Sequence, residues 1–217
     1  MNVELIRHTP DPVALVGEAA AICTASKDPD RARKGALASG HESILEHVTF
    51  TFRVDGVSRA LLAQLTRHRI ASFSVESQRY VRMEDPDFIV PPNIKEGWEC
   101  GIGWAVEAYV DALLGAFEAY ENMLEAGIPE EDARYILPNA TPTRLLMTMN
   151  ARELRHFFSL RCCNRAQWEI REIADRMLEL CKGVAPELFE DAGPGCVRGA
   201  CPEGKRSCGK PRKEMKA

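Results

Sequence analysis

The sequence has no run approaching twenty apolar residues, so no membrane-spanning helix is expected. Its N-terminus, Met1-Asn2-Val3-Glu4-Leu5-Ile6-Arg7, lacks a signal-peptide architecture, which makes a cytoplasmic location the expectation. Basic charge is not in excess: 28 Lys and Arg stand against 32 Asp and Glu, a net charge of −4. General nucleic-acid binding needs a basic surface that displaces counterions, so neither a nucleic-acid nor a membrane partner is expected. The C-terminal tail has Cys196, Cys201 and Cys208 but no Cys-x-x-Cys pair. A closed zinc site takes four ligands and the tail supplies three, so no metal is assigned and a loosely ordered, reduced tail is expected. Without a secretory signal the eight cysteines read as thiols or metal ligands before they read as disulfides.

What is present is an ordinary globular composition, 45% hydrophobic and 28% charged over 217 residues, enough for one large domain or two small ones. Val3 and Leu5 suggest a first strand. Asp11-Pro12 reads as an N-cap with proline at the first helical position, opening a helix through Val16, Ala20 and Cys23. Lys27-Asp28-Pro29-Asp30 breaks it, and a second short helix stops at Ser39-Gly40. Val48 to Val54 alternates polar and apolar residues as a strand with one buried face, and Asp55-Gly56 is expected to turn the chain. Ser58 is a cap for a helix over 59–66, with Leu61, Leu62 and Leu65 on its core face and Gln64 beside Arg67 on another.

Asp85-Pro86-Asp87 and Pro91-Pro92 mark loop and edge structure. A long amphipathic helix is expected from about Glu99 to Glu125, ended by Gly127. A further helix starts at Pro129-Glu130-Glu131-Asp132, where acids suit the first turn. Thr143 to Met149 reads as a strand. Asn150-Ala151-Arg152-Glu153 is a capping-box arrangement opening a helix that ends near Arg161, with Arg152 and His156 on one face. The last helix runs from about Ala166 to Cys181. This alternation of strands and helices is an α+β pattern.

The densest chemistry lies from Arg67 to Tyr80, which holds Arg67, His68, Arg69, Arg79 and the hydroxyls of Ser72, Ser74 and Ser77. The stretch shows no alternating apolar pattern that would justify such polarity. Two cations about 6 Å apart repel by roughly 3 kcal/mol at an effective dielectric near 20. Arginines converging on a partly buried site therefore need anions, and a phosphate matches the guanidinium fork. On charge alone a solvated basic surface, or a nucleotide- or RNA-binding loop without catalysis, would read the same way. The pair His41 and His47, with the carboxylates between them, could hold a metal, but a six-residue spacing suits one helical face poorly.

Arg67-His68-Arg69, seven residues, then Ser77-Gln78-Arg79-Tyr80 resembles the signature of the flavin-dependent thymidylate synthases, the thymidylate synthase-complementing family. Further elements match in order from His41 to about Cys181: His41-Glu42-Ser43, Arg134-Tyr135-Ile136-Leu137-Pro138, Asn150 to His156, and Ser159-Leu160-Arg161 followed by Ala166-Gln167-Trp168. The resemblance implies a homotetramer with shared sites, an α+β single domain over 1–190 with a twisted antiparallel sheet flanked by helices, and a Gly/Cys/Lys-rich tail over 191–217. It implies a methyltransferase that converts dUMP to dTMP, with methylenetetrahydrofolate as carbon donor and FAD, reduced by NADPH, as hydride carrier.

Carried over position by position, it assigns dUMP to Gln64, Arg67, Ser77, Gln78, Arg79, Arg134 and Arg161, with Arg161 catalytic through the uracil ring. It assigns FAD to His41, Ser43, Arg67, His68, Arg69, Val75, Asn150, Arg152 and His156. Val75 departs from the family, which often has Glu or Gln there, so any contact at Val75 is through the backbone. Cys162 and Cys163 sit beside Arg161 as tempting nucleophiles, but the family needs none.

Overall fold

The computed structural model describes residues 1–85 and 87–212. Pro86 of the expected 85–87 loop and residues 213–217 of the expected tail lie outside the described residues. In chain order the elements are β1 (Asn2–His8), α1 (Pro12–Thr24), α2 (Pro29–Ala38), β2 (Thr49–Ser58), α3 (Arg59–Leu65), β3 (Ala71–Val75), α4 (Pro92–Lys95), α5 (Gly103–Glu125), α6 (Glu130–Ala133), β4 (Pro142–Asn150), α7 (Ala151–Arg161), α8 (Trp168–Val184) and α9 (Pro186–Phe189). A 3₁₀ turn over Glu42–His47 precedes β2, and another over Arg134–Ile136 follows α6. The strands form one antiparallel sheet in the order β1-β2-β4-β3, the α+β architecture expected.

The chain divides into two compact units. One comprises Met1, Asp55–Ala63 and Val75–Leu145; the other comprises Asn2–Val54, Gln64–Ser74 and Leu146–Ala217. The second holds a continuous aromatic core. Phe50 meets Phe189 edge-on at 5.4 Å between centroids, Phe158 meets Phe189 at 6.1 Å, and Phe157 meets Phe158 at 5.8 Å. All four rings are fully buried, and such clusters dominate core energetics. The alternation of Phe50, Phe52 and Val54 on β2 is what places that face inward. Gly17 lets α1 lie against the start of α2: a Cβ there would meet the Cβ and carbonyl oxygen of Pro29 at 3.3 Å.

Several boundaries differ from expectation for identifiable reasons. Asp11 occupies the N-cap of α1 but sits in the left-handed region (φ 45°) and makes no side-chain cap bond, because a capping side chain needs extended backbone. Asp28 has that backbone and accepts from the Arg31 amide at 3.0 Å. The chain does not turn at Asp55-Gly56. β2 runs through to Ser58, with Gly56 supplying a positive φ of 68° inside the strand. Ser58 Oγ does cap α3, accepting from the Leu61 amide at 3.2 Å. α3 stops at Leu65, so Arg67 lies in the following turn rather than on the helix face shared with Gln64. α5 starts at Gly103, four residues past the expected Glu99.

β3 is a strand that sequence reasoning missed. Ala71, Phe73 and Val75 alternate with Ser72 and Ser74, a period-two pattern masked by the charge on both sides. As far as Arg212, the tail is not loose. Arg212 donates to both carboxylate oxygens of Asp175 at 2.9 Å and to the Cys162 carbonyl at 2.7 Å, and Asn164 donates to the Lys210 carbonyl at 2.8 Å.

Candidate active site

The second unit places a buried histidine between a carboxylate and an arginine. The turn after α3 is closed by the His68 amide donating to the Leu65 carbonyl at 3.1 Å. It sends His68 inward, to 5% exposure, and leaves Arg67 and Arg69 in solvent. Asn150 opens α7 by accepting from the Glu153 amide at 2.8 Å. Glu153 does not return the second bond of a capping box. Its side chain, 8% exposed for the residue, instead accepts from His68 Nδ1 at 3.1 Å. Arg161, at the far end of α7, donates from Nε to His68 Nε2 at 3.0 Å and from Nη2 to the Gln64 carbonyl at 3.2 Å.

These bonds fix the protonation of His68. A guanidinium has only donors, so Nε2 must be bare and the ring proton must sit on Nδ1. Burial holds the imidazole below its ordinary range; Glu153 opposes that shift, while Arg161 and His156 reinforce it. The neutral ring packs edge-on against Phe157 at 4.9 Å. Burial, together with the charge of Arg67, also lowers Arg161 from its ordinary value. Arg161 is therefore more than a cap on the α7 dipole, since its side chain is committed to His68 and Gln64. Glu153 is the member sequence reasoning passed over, because its spacing from Asn150 explained it fully as a capping residue.

Beside this relay lies a cavity of about 720 Å³, lined by Asn150, Arg152, His156, Glu42, Glu46 and Arg155 among others. Arg152 pairs with Glu46, and Arg155 bridges Glu42 at 3.2 Å and Asp191 at 2.7 Å. Three of the expected flavin residues thus share one cavity. His41 and Ser43 do not join them. They line a separate cavity of about 650 Å³ with Ala20, Cys23 and Ala32, because the 3₁₀ turn sends Glu42 to one side and its neighbours to the other. Arg67 and Arg69 make no hydrogen bond or ion pair among the described residues.

The first unit holds the rest of the expected set. Val75 ends β3, and the Glu76 amide then donates to the Arg144 carbonyl at 3.0 Å. Glu76 also accepts from Arg144 Nε at 2.6 Å, and its carbonyl accepts from Arg59 Nη2 at 2.8 Å. Ser77 Oγ accepts from the Arg79 amide at 3.3 Å in the turn that carries Gln78. Arg79 reaches Glu131 through Nε at 3.0 Å and Nη2 at 2.8 Å, while Arg134 Nε donates to the Glu131 carbonyl at 3.0 Å. Arg79 and Arg134 are therefore brought together on Glu131, whose acid had been explained by the helix dipole alone.

Cys162 is fully buried, and burial pushes its thiol well above the ordinary range, reinforced by Asp175. Such a thiol is a poor nucleophile. No group of three or more His, Cys, Asp or Glu that could hold a metal forms among the described residues, and no helix among them is long and apolar enough to cross a membrane.

Fold and site together define an α+β protein with exposed cations, a neutral buried histidine and a large polar cavity. Residues 4–187 match the family model described as thymidylate synthase complementing protein. The chain is 48% identical to the flavin-dependent thymidylate synthase of Geobacter sulfurreducens over 97% of its own length and 94% of the relative's. It is 41% identical to that of Clostridium tetani at the same coverages. The flavin-dependent thymidylate synthase of Helicobacter pylori, solved with FAD and dUMP, superposes with a TM-score of 0.66 at 28% identity, over 89% of this chain and 100% of that one. A UMP/dUMP methylase from Streptomyces cacaoi, bound with 5-Br dUMP, gives 0.74 at 31% identity, over 87% and 93%. The chain belongs to the thymidylate synthase complementing protein family, and it is an enzyme of the flavin-dependent thymidylate synthase type.

Proposed function

We propose that this chain catalyses the reductive methylation of dUMP to dTMP, with methylenetetrahydrofolate as carbon donor and NADPH as reductant. In that reaction C5 of the uracil exchanges a proton for a methyl group, built from a methylene carbon and a hydride. The observation that carries the reading is Arg161, a half-buried guanidinium aimed by a neutral histidine, in a chain whose solved relative holds FAD and dUMP.

The cavity beside α7 fits a flavin dinucleotide on its own chemistry. Its 720 Å³ falls within the usual range for ligand sites, about 300–1,000 Å³. It offers a guanidinium (Arg152) and an imidazole (His156) for phosphates, and the Asn150 amide nitrogen, free because the cap uses only Oδ1. Asn150, Arg152 and His156 would hold the FAD, joined by Arg67, Arg69, His41, Ser43 and the Val75 backbone. FAD, when bound, supplies hydride transfer between NADPH and the forming methyl group.

The chain's own work is to bind, orient and polarise. Arg67, Arg79 and Arg134, with Ser77 and Gln78, would grip the dUMP phosphate, and Gln64 would contact the nucleotide. Fixing the phosphate orients the uracil. Arg161 would favour negative charge on the ring and so make C5 more nucleophilic, electrostatic stabilisation by a group already in place. Residues 1–190 would form the catalytic domain, with 191–217 appended, in a cytoplasmic homotetramer with shared sites.

The test is conversion of dUMP to dTMP by the purified protein with FAD, NADPH and methylenetetrahydrofolate. The reading expects flavin absorbance to follow the protein, and dTMP formation to stop when any one component is omitted. Conversion that persists without flavin, or no conversion with all components present, would refute it.

A further inference from the structure

We propose, resting on the thymidylate synthase reading, that His68 and Glu153 are positioning residues for Arg161. The buried carboxylate fixes the imidazole as its Nδ1–H tautomer, and the bare Nε2 anchors the guanidinium through Arg161 Nε. Both ring nitrogens are thereby consumed, at 3.1 and 3.0 Å. A ring so engaged cannot shuttle a proton or hydrogen-bond a cofactor through its nitrogens without breaking one of the two bonds, so the flavin contact expected of His68 would fall to its backbone.

The geometry of Arg161 supports it. Nε and Nη2 lie on one edge of the guanidinium, and both are spent on anchors, His68 Nε2 and the Gln64 carbonyl. Nη1 has no protein partner among the described residues. The terminal edge is left as a two-pronged donor for an anionic partner, which is how arginine recognises delocalised negative charge. Phe157 packs against the imidazole and holds its plane.

The arrangement works only while His68 is neutral. The charged and titratable groups facing it are Glu153, His156 and Arg161 on α7 and, through Arg161, Arg67 in the turn after α3. A second proton on His68 would set N–H against N–H and cation against cation, and release Arg161.

The test compares His68→Gln, His68→Asn and Glu153→Leu with wild type, all checked for melting temperature and flavin content. Glutamine can place a carbonyl oxygen where Nε2 stood, whereas asparagine is too short. His68→Asn is expected to lower kcat ~100-fold, the scale of losing one preorganised donor, with less change in the KM for dUMP. His68→Gln should stay within ~10-fold of wild type and lose the acidic limb that His68 protonation gives the wild-type kcat profile. Glu153→Leu, which removes the acceptor for Nδ1–H, should behave like His68→Asn. A purely structural role would depress both His68 variants alike, and equal behaviour of the two, whether active or inactive, overturns the proposal.

A second arm needs no turnover. Nitrogen-15 NMR of histidine-labelled wild-type protein should show His68 with Nδ1 protonated and Nε2 bare at pH 7. An Nε2–H tautomer or a doubly protonated ring overturns the proposal, even if no variant can be purified. Absence of dUMP turnover in wild type would refute the thymidylate reading, and the NMR arm would then decide the relay alone.

Discussion

Arg79 is held by Glu131 through two of its nitrogens, Nε at 3.0 Å and Nη2 at 2.8 Å, and both side chains are about half exposed. The cation proposed to take the substrate phosphate thus already has an anionic partner, in the solvated setting where such pairs are weak. An exposed pair contributes about 0–1 kcal/mol, whereas a charge-assisted hydrogen bond to a ligand is worth about 1.5–3 kcal/mol. A phosphate should therefore displace the carboxylate. Arg79→Gln is expected to raise the dissociation constant for dUMP ~10–100-fold, and Glu131→Gln to shift it by no more than ~5-fold. Calorimetric titration measures both. Equal losses would mean that the pair is scaffold rather than receiver.

Asn150 contributes one backbone bond at the start of α7, the helix carrying Glu153 and Arg161. Asn150→Ala is expected to cost ~0.5–2 kcal/mol in urea unfolding, the usual range for an N-cap. Phe158→Ala, which opens the aromatic core, is expected to cost ~3–5 kcal/mol. If the alanine at 150 cost as much as the one at 158, Asn150 would be doing more than capping.

The buried, unreactive setting of Cys162 makes a clean prediction. Cys162→Ser together with Cys163→Ser should leave turnover largely intact. Loss of activity with fold and flavin content preserved would assign the pair a role that the structure does not suggest.

Acid sensitivity should trace in part to Asp191. A hydrogen bond from Arg155 is the main cause holding its carboxyl below the ordinary aspartate value. Its contribution to stability is complete above about pH 4, where an unfolded aspartate is ionised, and drains away as the pH falls through the lowered folded value. Half exposure makes that contribution modest. Asp191→Asn should flatten the acid end of a stability-against-pH curve; an unchanged slope would show that Arg155 finds equal support from Glu42.

The sequence disclosed those parts of the fold and site that depend on local pattern. The alternation of Phe50, Phe52 and Val54 announced β2, Ser58 announced α3, and Asn150 announced α7. Arg67, Arg79, Arg134 and Arg161 were put forward together by the resemblance to the family's motifs, not by their spacing alone. What stayed hidden were pairings between distant residues. Glu153 had a sufficient local explanation as the fourth residue of a capping box, and Glu131 had one in a helix dipole, so neither advertised its partner 85 or 52 positions away. β3 was hidden differently: its Ala-Ser-Phe-Ser-Val alternation is plain, but the arginines around it drew the eye to charge. The tail as far as Arg212 was misjudged because glycine, proline and lysine read as loose chain, while one arginine, Arg212, ties it to Asp175.

The most direct measurement is release of tritium from C5-labelled dUMP into water, with methylenetetrahydrofolate and FAD present and NADPH either supplied or withheld. Methylation at C5 must expel that hydrogen, so the account predicts release that depends on NADPH, equals the dTMP formed, and falls sharply in Arg161→Ala. Label retained in the pyrimidine under complete conditions, or released equally by the Arg161→Ala protein, would contradict it.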